Sequence, residues 1–166
     1  MLFLRKLSEN DGRDVYDMLQ HIKSDENGFM NGVKDMPYEE YALWLKQNAD
    51  MSVGVDLPDG WVPQTTFWLY MDSVPVGIGR IRHYLNDALR EHGGHIGYAV
   101  AAPYRGNGYG NEILRLLLIE SKKMGIGEIL VDPYKYNERS NRVILSNGGK
   151  LVRETDDANF YIIDNR

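Results

Sequence analysis

The sequence predicts a mixed α/β fold in which helices connect the strands of a central sheet. Segments rich in β-branched and aromatic residues, such as "TTFWLYM" at 65–71, favour strands. Other segments, such as "NEILRLLLIE" at 111–120, repeat apolar residues at helical spacing. The 166 residues suit one domain, 1–166, because a chain of this length can bury a sizeable core.

The first half of the chain predicts two helices and the start of the sheet. Residues 2–7 form an opening strand, and Ser8 or Asp11 caps a first helix with apolar residues on one face. The Gly, Asn and Pro content of 25–37 indicates a loop, after which Pro37 opens a second helix over 38–48. Strands then follow at 65–71 and 74–83.

The second half alternates strands with helices. Residues 87–91 make at most a helical turn, and a strand at 95–101 runs into a glycine-rich loop. A strongly apolar helix follows Gly110 and ends at Gly125. The remaining elements are a strand at 128–133, a helix at 140–149, and two closing strands with the sequences "KLVRE" and "FYIID".

Composition excludes several functions. A net charge of −5 argues against a nucleic-acid surface, whose affinity comes from Lys and Arg. No apolar run approaches the roughly 20 residues of a membrane span. Without cysteine there is no disulfide, no thiolate nucleophile and no cysteine-type metal site. We expect a cytoplasmic protein that uses no metal.

The stretch "RGNGYG" at 105–110 predicts an anion-binding loop. It connects a strand to a helix, and the first N–H groups of a helix lack partners and carry partial positive charge. Glycines let the backbone approach a phosphate closely, and Arg105 adds a positive charge. A glycine turn without a ligand is the alternative.

Two familiar phosphate loops do not fit this stretch. A P-loop requires a Gly-Lys-Ser/Thr run, which the chain lacks. A dinucleotide-binding loop requires G-x-G-x-x-G in the first strand–helix unit, whereas here the third glycine is one residue early and the loop lies late in the chain. Dehydrogenase-type nucleotide binding is therefore disfavoured.

Two motifs, which follow one another along the chain, resemble the signatures of a known family. Arg105-x-x-Gly108-x-Gly110, preceded by "GYAV" and followed by a leucine-rich helix, resembles the acetyl-CoA signature of the GNAT superfamily of N-acetyltransferases. Asn137-x-x-Ser140, leading through a helix to a glycine pair, resembles the second signature of that family. The segments "GWVP", "RHYLN" and "GGHIGY" are similar to those of a bacterial subgroup of predicted acetyltransferases.

The resemblance implies a GNAT-like fold: a central mixed, mostly antiparallel sheet, splayed between its fourth and fifth strands and flanked by helices. It implies acetyl-CoA as co-substrate and direct transfer to a primary amine without an acyl-enzyme. A backbone N–H near Val100 would polarise the thioester carbonyl. The residues implied to bind acetyl-CoA are Val100, Arg105, Gly106, Asn107, Gly108, Tyr109, Gly110, Asn137 and Ser140.

The chain departs from the family pattern at two positions. The proline that often follows the Val100 position by two residues is Ala102 here, and Pro103 comes one residue later. The tyrosine that often acts as general acid falls on Ile144, which has no proton to give. The departing thiolate is protonated either by solvent or by another side chain, for which we choose Tyr136 because it directly precedes Asn137.

The acceptor side is less defined by sequence. An amine must lose a proton before it attacks, so a base or a water chain is required. Residues expected to contact the acceptor are Glu26, Trp61, His83 and Asn86. The candidates for the base are His83, Glu26, Glu39 and Tyr136, of which we choose His83. For His83 a purely structural hydrogen bond stays open as the alternative.

The resemblance leaves open which amine is the acceptor, whether the protein forms a homodimer, and whether it is an enzyme. The acceptor is a small-molecule or peptide amine, and a homodimer is allowed because dimers through exposed strands are common in this family. A non-catalytic acyl-CoA-binding or sensing domain is the rival function, which Ile144 favours. Thiol release with a panel of amines separates the two functions.

Overall fold

The computed structural model describes all residues from 1 to 166 and contains nine strands and five helices. The strands are β1 (Leu2–Lys6), β2 (Asp25–Glu26), β3 (Phe29–Met30), β4 (Gln64–Met71), β5 (Val74–Arg82), β6 (Ile96–Val100), β7 (Glu128–Val131), β8 (Lys150–Glu154) and β9 (Asn159–Asp164). The helices are α1 (Arg13–Leu19), α2 (Tyr38–Ser52), α3 (Asp87–Glu91), α4 (Tyr109–Lys123) and α5 (Glu138–Ser146). None of the helices is both long enough and apolar enough to cross a bilayer.

The strands form two main sheets that separate at β6 and β7. One sheet has the order β1-β4-β5-β6 and the other has the order β7-β9-β8, and all their pairings are antiparallel. Strands β6 and β7 are the fourth and fifth strands that the sequence predicted. The predicted α/β fold, with its sheet divided at that place and helices on both faces, is therefore confirmed.

The helices cover the sheets with two hydrophobic cores. Helices α1 and α2 pack on one face around the fully buried Trp68. Helix α4 lies on the other face and contacts both sheets. Its Leu117 belongs to the same hydrophobic core as Ile129 of β7. Gly79 on β5 permits this close approach, since a Cβ there would lie 2.7 Å from a methyl group of Leu117.

The main difference from the sequence prediction is a short hairpin inside the expected loop at 25–37. Strands β2 and β3 have two residues each and are joined by Asn27 and Gly28, both with positive φ. Such short strands show no alternating pattern in sequence. The hairpin is held instead by tertiary contacts, chiefly through Phe29, which packs into the core beside α1 and α2.

Candidate functional site

A cleft of about 980 Å³ opens where β6 and β7 diverge. At the closed end of the fork, the backbone N–H of His95 donates to the carbonyl oxygen of Leu130 at 2.8 Å. The N–H of Leu130 donates to Nδ1 of the His95 ring at 2.9 Å. Gly94 precedes this junction with a positive φ, and any Cβ at that position would overlap the Leu130 carbonyl. The junction therefore fixes where the strands part.

The free edge of β6 directs backbone N–H groups into the cleft. Ala101 donates to Val76 and Arg82 donates to His95, so these pairs are the hydrogen-bonded pairs of the β5–β6 ladder. Because pairs alternate in an antiparallel ladder, the N–H groups of Tyr98 and Val100 point away from β5. They face the gap between the sheets.

The glycine loop presents an unusually bare backbone. The N–H groups of residues 106 to 111 donate to no protein atom, and they lead into the first turn of α4. Gly106 and Gly108 have φ values of +83° and +77°, and a Cβ on either would meet nothing within 4 Å. Unpaired N–H groups at a helix start, beside open space, form an anion site.

Arg105 is held across the mouth of the cleft. Its Nη2 lies 3.0 Å from Oε1 of Glu26, whose side chain is largely buried, and its Nε donates to the Val100 carbonyl at 2.9 Å. Glu26 therefore lines the cleft, and its carboxylate, which we expected to contact the acceptor, is paired with Arg105. Asn107 lies outside the cleft lining and donates to the Tyr104 carbonyl at 2.9 Å, which shapes the loop.

Helix α5 forms the opposite wall. Oδ1 of Asn137 accepts a hydrogen bond from the N–H of Ser140 at 3.3 Å and so caps the helix, while the Asn137 amide nitrogen has no partner. The Ser140 hydroxyl lies 3.0 Å from the Tyr98 hydroxyl. Burial raises the pKa of Tyr98 to about 12, against the opposing effect of the Ser140 bond, so this phenol holds its proton at neutral pH.

The end of the cleft away from the glycine loop carries charged side chains. His92 places Nδ1 3.3 Å from Oδ2 of Asp132, a nearly buried carboxylate that also accepts from the N–H of Gly93 at 2.9 Å. Burial raises the pKa of Asp132 above its usual value. Arg82 donates to the carbonyls of Gly93 and Gly94 at 3.0 and 3.1 Å and so holds this turn in place. Trp61, half exposed, lines the same end.

Three sequence predictions are corrected by these positions. His83 lies in a separate depression, where its Nε2 is 2.7 Å from Oγ1 of Thr65, so it takes the structural alternative. Asn86 lies outside the cleft; it caps α3 and donates to the Gly60 carbonyl at 2.8 Å, which holds the loop before Trp61. Tyr136 is 69% exposed and stacks on the ring of Tyr134, outside the cleft lining.

Apart from Asn107, the other predicted residues line one cavity. They are Glu26, Trp61, Val100, Arg105, Gly106, Gly108, Tyr109, Gly110, Asn137 and Ser140. No group of three or more His, Cys, Asp or Glu side chains is arranged to hold a metal ion.

Sequence reasoning missed four side chains that the fold brings to the cleft. Tyr98 stands inside the "GYAV" segment, where alternation along β6 could have placed its side chain opposite that of Ala99. Arg80 lies two residues before Arg82 on the same face of β5. His92 and Asp132 are forty residues apart, and no local pattern connects them.

Comparisons with known proteins agree with this geometry. The sequence model of a family described as "Acetyltransferase (GNAT) domain" matches residues 1–150. No curated protein sequence matches the chain. RimL, described as a ribosomal L7/L12 alpha-N-protein acetyltransferase and solved in complex with coenzyme A, has a TM-score of 0.72 at 17% identity and covers 99% of this chain and 96% of its own.

Two further structures share the fold at low identity. The N-acetyltransferase PseH of Campylobacter jejuni, in complex with acetyl coenzyme A, has a TM-score of 0.63 at 10% identity and covers 100% of both chains. A GNAT-family acetyltransferase from Streptococcus pneumoniae has a TM-score of 0.65 at 14% identity and covers 98% of this chain and 99% of its own. With the family match spanning most of its length, the chain belongs to the GNAT family of acetyltransferases.

Proposed function

We propose that this protein transfers the acetyl group of acetyl-CoA directly to an amine, without an acyl-enzyme, with residues 1–166 acting as one catalytic domain. The observation that carries the proposal is the row of unpaired N–H groups at residues 106 to 111, which opens into the cleft between β6 and β7. A cytoplasmic location suits a chain without cysteine.

The residues of the cleft fit coenzyme A. The bare loop suits the pyrophosphate, because a Cβ at Gly106 or Gly108 would occupy space that is now open. The unpartnered amide nitrogen of Asn137 suits a carbonyl of the pantetheine arm. The N–H groups of Tyr98 and Val100 suit the thioester carbonyl, which they would polarise. Acetyl-CoA supplies the activated acetyl group when it is bound.

We assign the base to His92 with Asp132. Nε2 of His92 makes no hydrogen bond, and Nδ1 lies beside the Asp132 carboxylate. Nε2 can therefore accept a proton from the amine, while the Asp132 carboxylate beside Nδ1 stabilises the positive charge that forms on the ring. The chain thus removes a proton at Nε2 and exposes a neutral amine for attack.

We assign proton donation to Tyr98. Its hydroxyl lies on the α5 side of the cleft, beside the hydroxyl of Ser140. Ser140 stands one helical turn before Ile144 in α5. The phenol that the family often carries at the Ile144 position is therefore supplied from β6. Because Tyr98 keeps its proton at neutral pH, it can protonate the departing thiolate.

The decisive experiment measures release of free thiol from acetyl-CoA with a panel of small-molecule and peptide amines. Acetyl transfer predicts release that depends on one class of amine and yields the N-acetyl product by mass spectrometry. Tight acetyl-CoA binding with no release from any amine would support the rival function, a non-catalytic acyl-CoA-binding domain, which the aliphatic Ile144 favours.

A further inference from the structure

Arg80 stands on the face of β5 that looks toward the β2–β3 hairpin. Its neighbours in sequence, Gly79 and Ile81, face α4 on the opposite side. Across the ladder it pairs with Gly97 of β6. The absence of a side chain at Gly97 leaves room for the ring of Phe29, over which the Arg80 guanidinium lies at 4.4 Å from the centroid. Arg80 therefore lines the cleft between the hairpin and β6.

The guanidinium of Arg80 has no counter-ion. Its Nη1 donates to the Met30 carbonyl at 2.7 Å, but the fully buried Nε has no partner and Nη2 makes no hydrogen bond. No carboxylate lies within ion-pair distance of it. Burial, followed by the neighbouring charge of Arg82, lowers the pKa of Arg80 to about 10. A buried charge of this kind is costly unless an anion pairs with it.

The anion that Arg80 lacks does not come from the coenzyme A phosphates in the proposed complex. The phosphate loop begins at Arg105, which follows β6, whereas Gly97 lies three residues before the end of that strand. Three strand residues span about 10 Å. The loop also has its own unpaired N–H groups. Arg80 therefore faces the acceptor end of the cleft.

We propose that Arg80 binds a carboxylate on the acceptor, so that the acceptor is an amine of the amino-acid class. The inference rests on the acetyltransferase function proposed above and names the substrate of that site. The Nη2 group of Arg80, which makes no hydrogen bond and is not buried, is left to donate a charge-assisted hydrogen bond to a carboxylate oxygen. A single guanidinium suits a monoanion, and Asp132 at the same end disfavours a more highly charged group.

Acceptor pairs that differ only in the carboxylate test this proposal. Thiol release is measured for each L-amino acid and for the amine that remains when its carboxylate is removed, such as L-phenylalanine with phenethylamine and L-lysine with cadaverine. We expect kcat/KM to favour the best amino acid over its amine by at least tenfold, the lower range for hydrogen bonds to a charged group. Equal or better use of the decarboxylated amine would overturn the proposal.

Variants of Arg80 separate recognition from structure. Arg80→Gln and Arg80→Lys should each lower kcat/KM for the amino acid by about tenfold to hundredfold more than they lower it for the matched amine. Arg115→Gln, which removes an exposed arginine of α4 outside the cleft, should leave both rates unchanged. If Arg80 only fastens the hairpin through Met30, its variants will lower both rates equally and reduce thermal stability, which contradicts the proposal.

A binding measurement tests the carboxylate site of Arg80 independently of the proposed acetyl transfer. Calorimetry compares N-acetyl-amino acids with the corresponding N-acetyl-amines on the protein saturated with coenzyme A. We expect only the carboxylate-bearing compounds to bind, and Arg80→Gln to abolish that binding. If no amine releases thiol, the transfer function fails, yet Arg80-dependent binding would still support the carboxylate site. Absence of such binding overturns the site.

Discussion

The ring of His95 and the backbone of Leu130 close the fork between the two sheets. Nδ1 of His95 accepts the Leu130 N–H at 2.9 Å, so this nitrogen must be unprotonated in the folded protein. Burial, followed by the charges of Arg90 and Arg82, lowers the pKa of His95 to about 4. The junction that sets the shape of the cleft is therefore sensitive to acid.

Stability should fall as the pH drops from about 6.5 to 4. An unfolded histidine titrates near 6.5, so between these values the unfolded chain binds a proton that the folded chain excludes. The contribution of His95 is complete above pH 6.5 and decreases on acidification by at most about 1.4 kcal/mol per pH unit. The lowered pKa of His83 acts in the same direction. Urea unfolding of wild type and His95→Gln at pH 7.5 and 5.0 measures this; an equal loss in both proteins would contradict the assignment to His95.

Gly108→Ala should weaken acetyl-CoA binding at least tenfold, which is about 1.4 kcal/mol, because the new Cβ enters the open space beside the unpaired N–H groups. The matched control is Gly125→Ala at the other end of α4. Its φ of +79° is close to the +77° of Gly108, and its Cβ also meets nothing. Both variants carry the same left-handed strain of about 1–2 kcal/mol. Isothermal calorimetry should show a weaker Kd only for Gly108→Ala, and similar losses in both variants would falsify the loop assignment.

Asn137 caps α5, and in the proposed complex its amide also contacts the pantetheine arm; one pair of substitutions separates these two roles. Asn137→Ser keeps a side-chain oxygen that can cap α5 but removes the amide nitrogen, whereas Asn137→Ala removes both. We expect both to lower kcat/KM, with the lost hydrogen bond contributing about 0.5–1.5 kcal/mol. Only Asn137→Ala should also lose about 1 kcal/mol of stability. Unchanged kinetics in Asn137→Ser would remove the amide from the proposed cofactor contact.

His92→Gln and Asp132→Asn should lower kcat with the best amine by up to the 10²–10⁴-fold that general base catalysis typically contributes. Acetyl-CoA affinity should stay near the wild-type value, because both side chains lie at the far end of the cleft from the glycine loop. His83→Gln is the matched control, since His83 lies outside the cleft. Steady-state kinetics and calorimetry check this. If His83→Gln alone is impaired, the corrected assignment is wrong.

Tyr98→Phe should slow turnover while Tyr136→Phe leaves it unchanged. The Tyr98 hydroxyl lines the cleft beside Ser140, whereas Tyr136 is mostly exposed. The effect should be below the usual 10²–10⁴-fold of general acid catalysis, because a thiolate leaves readily without help. The measurement is kcat against pH for both variants. A slow Tyr136→Phe beside a normal Tyr98→Phe would return the role to the position chosen from sequence.

The sequence by itself determined the fold class and the glycine loop, whereas the division of the sheet and the cofactor were implied by the resemblance to the GNAT family. The fold class and the loop depend on local information: strand composition, helical periodicity, and the short spacing of Arg105, Gly108 and Gly110 around one turn. The loop fixes its own backbone because glycine alone tolerates the positive φ at Gly106 and Gly108. Such features can be recognised wherever the segment stands in the chain.

Only the tertiary structure decided which side chains meet at the end of the cleft away from the glycine loop. His83 and Tyr136 were chosen from sequence for their chemistry and their nearness to motifs, but burial and strand direction place His83 against Thr65 and turn Tyr136 to solvent. His92 meets Asp132, and Arg80 lies over Phe29, only because β5, β6, β7 and the hairpin come together. A shift of one residue in the register of a strand moves each of its side chains to the other face of the sheet. Contacts between side chains on distant strands therefore cannot be read from local sequence.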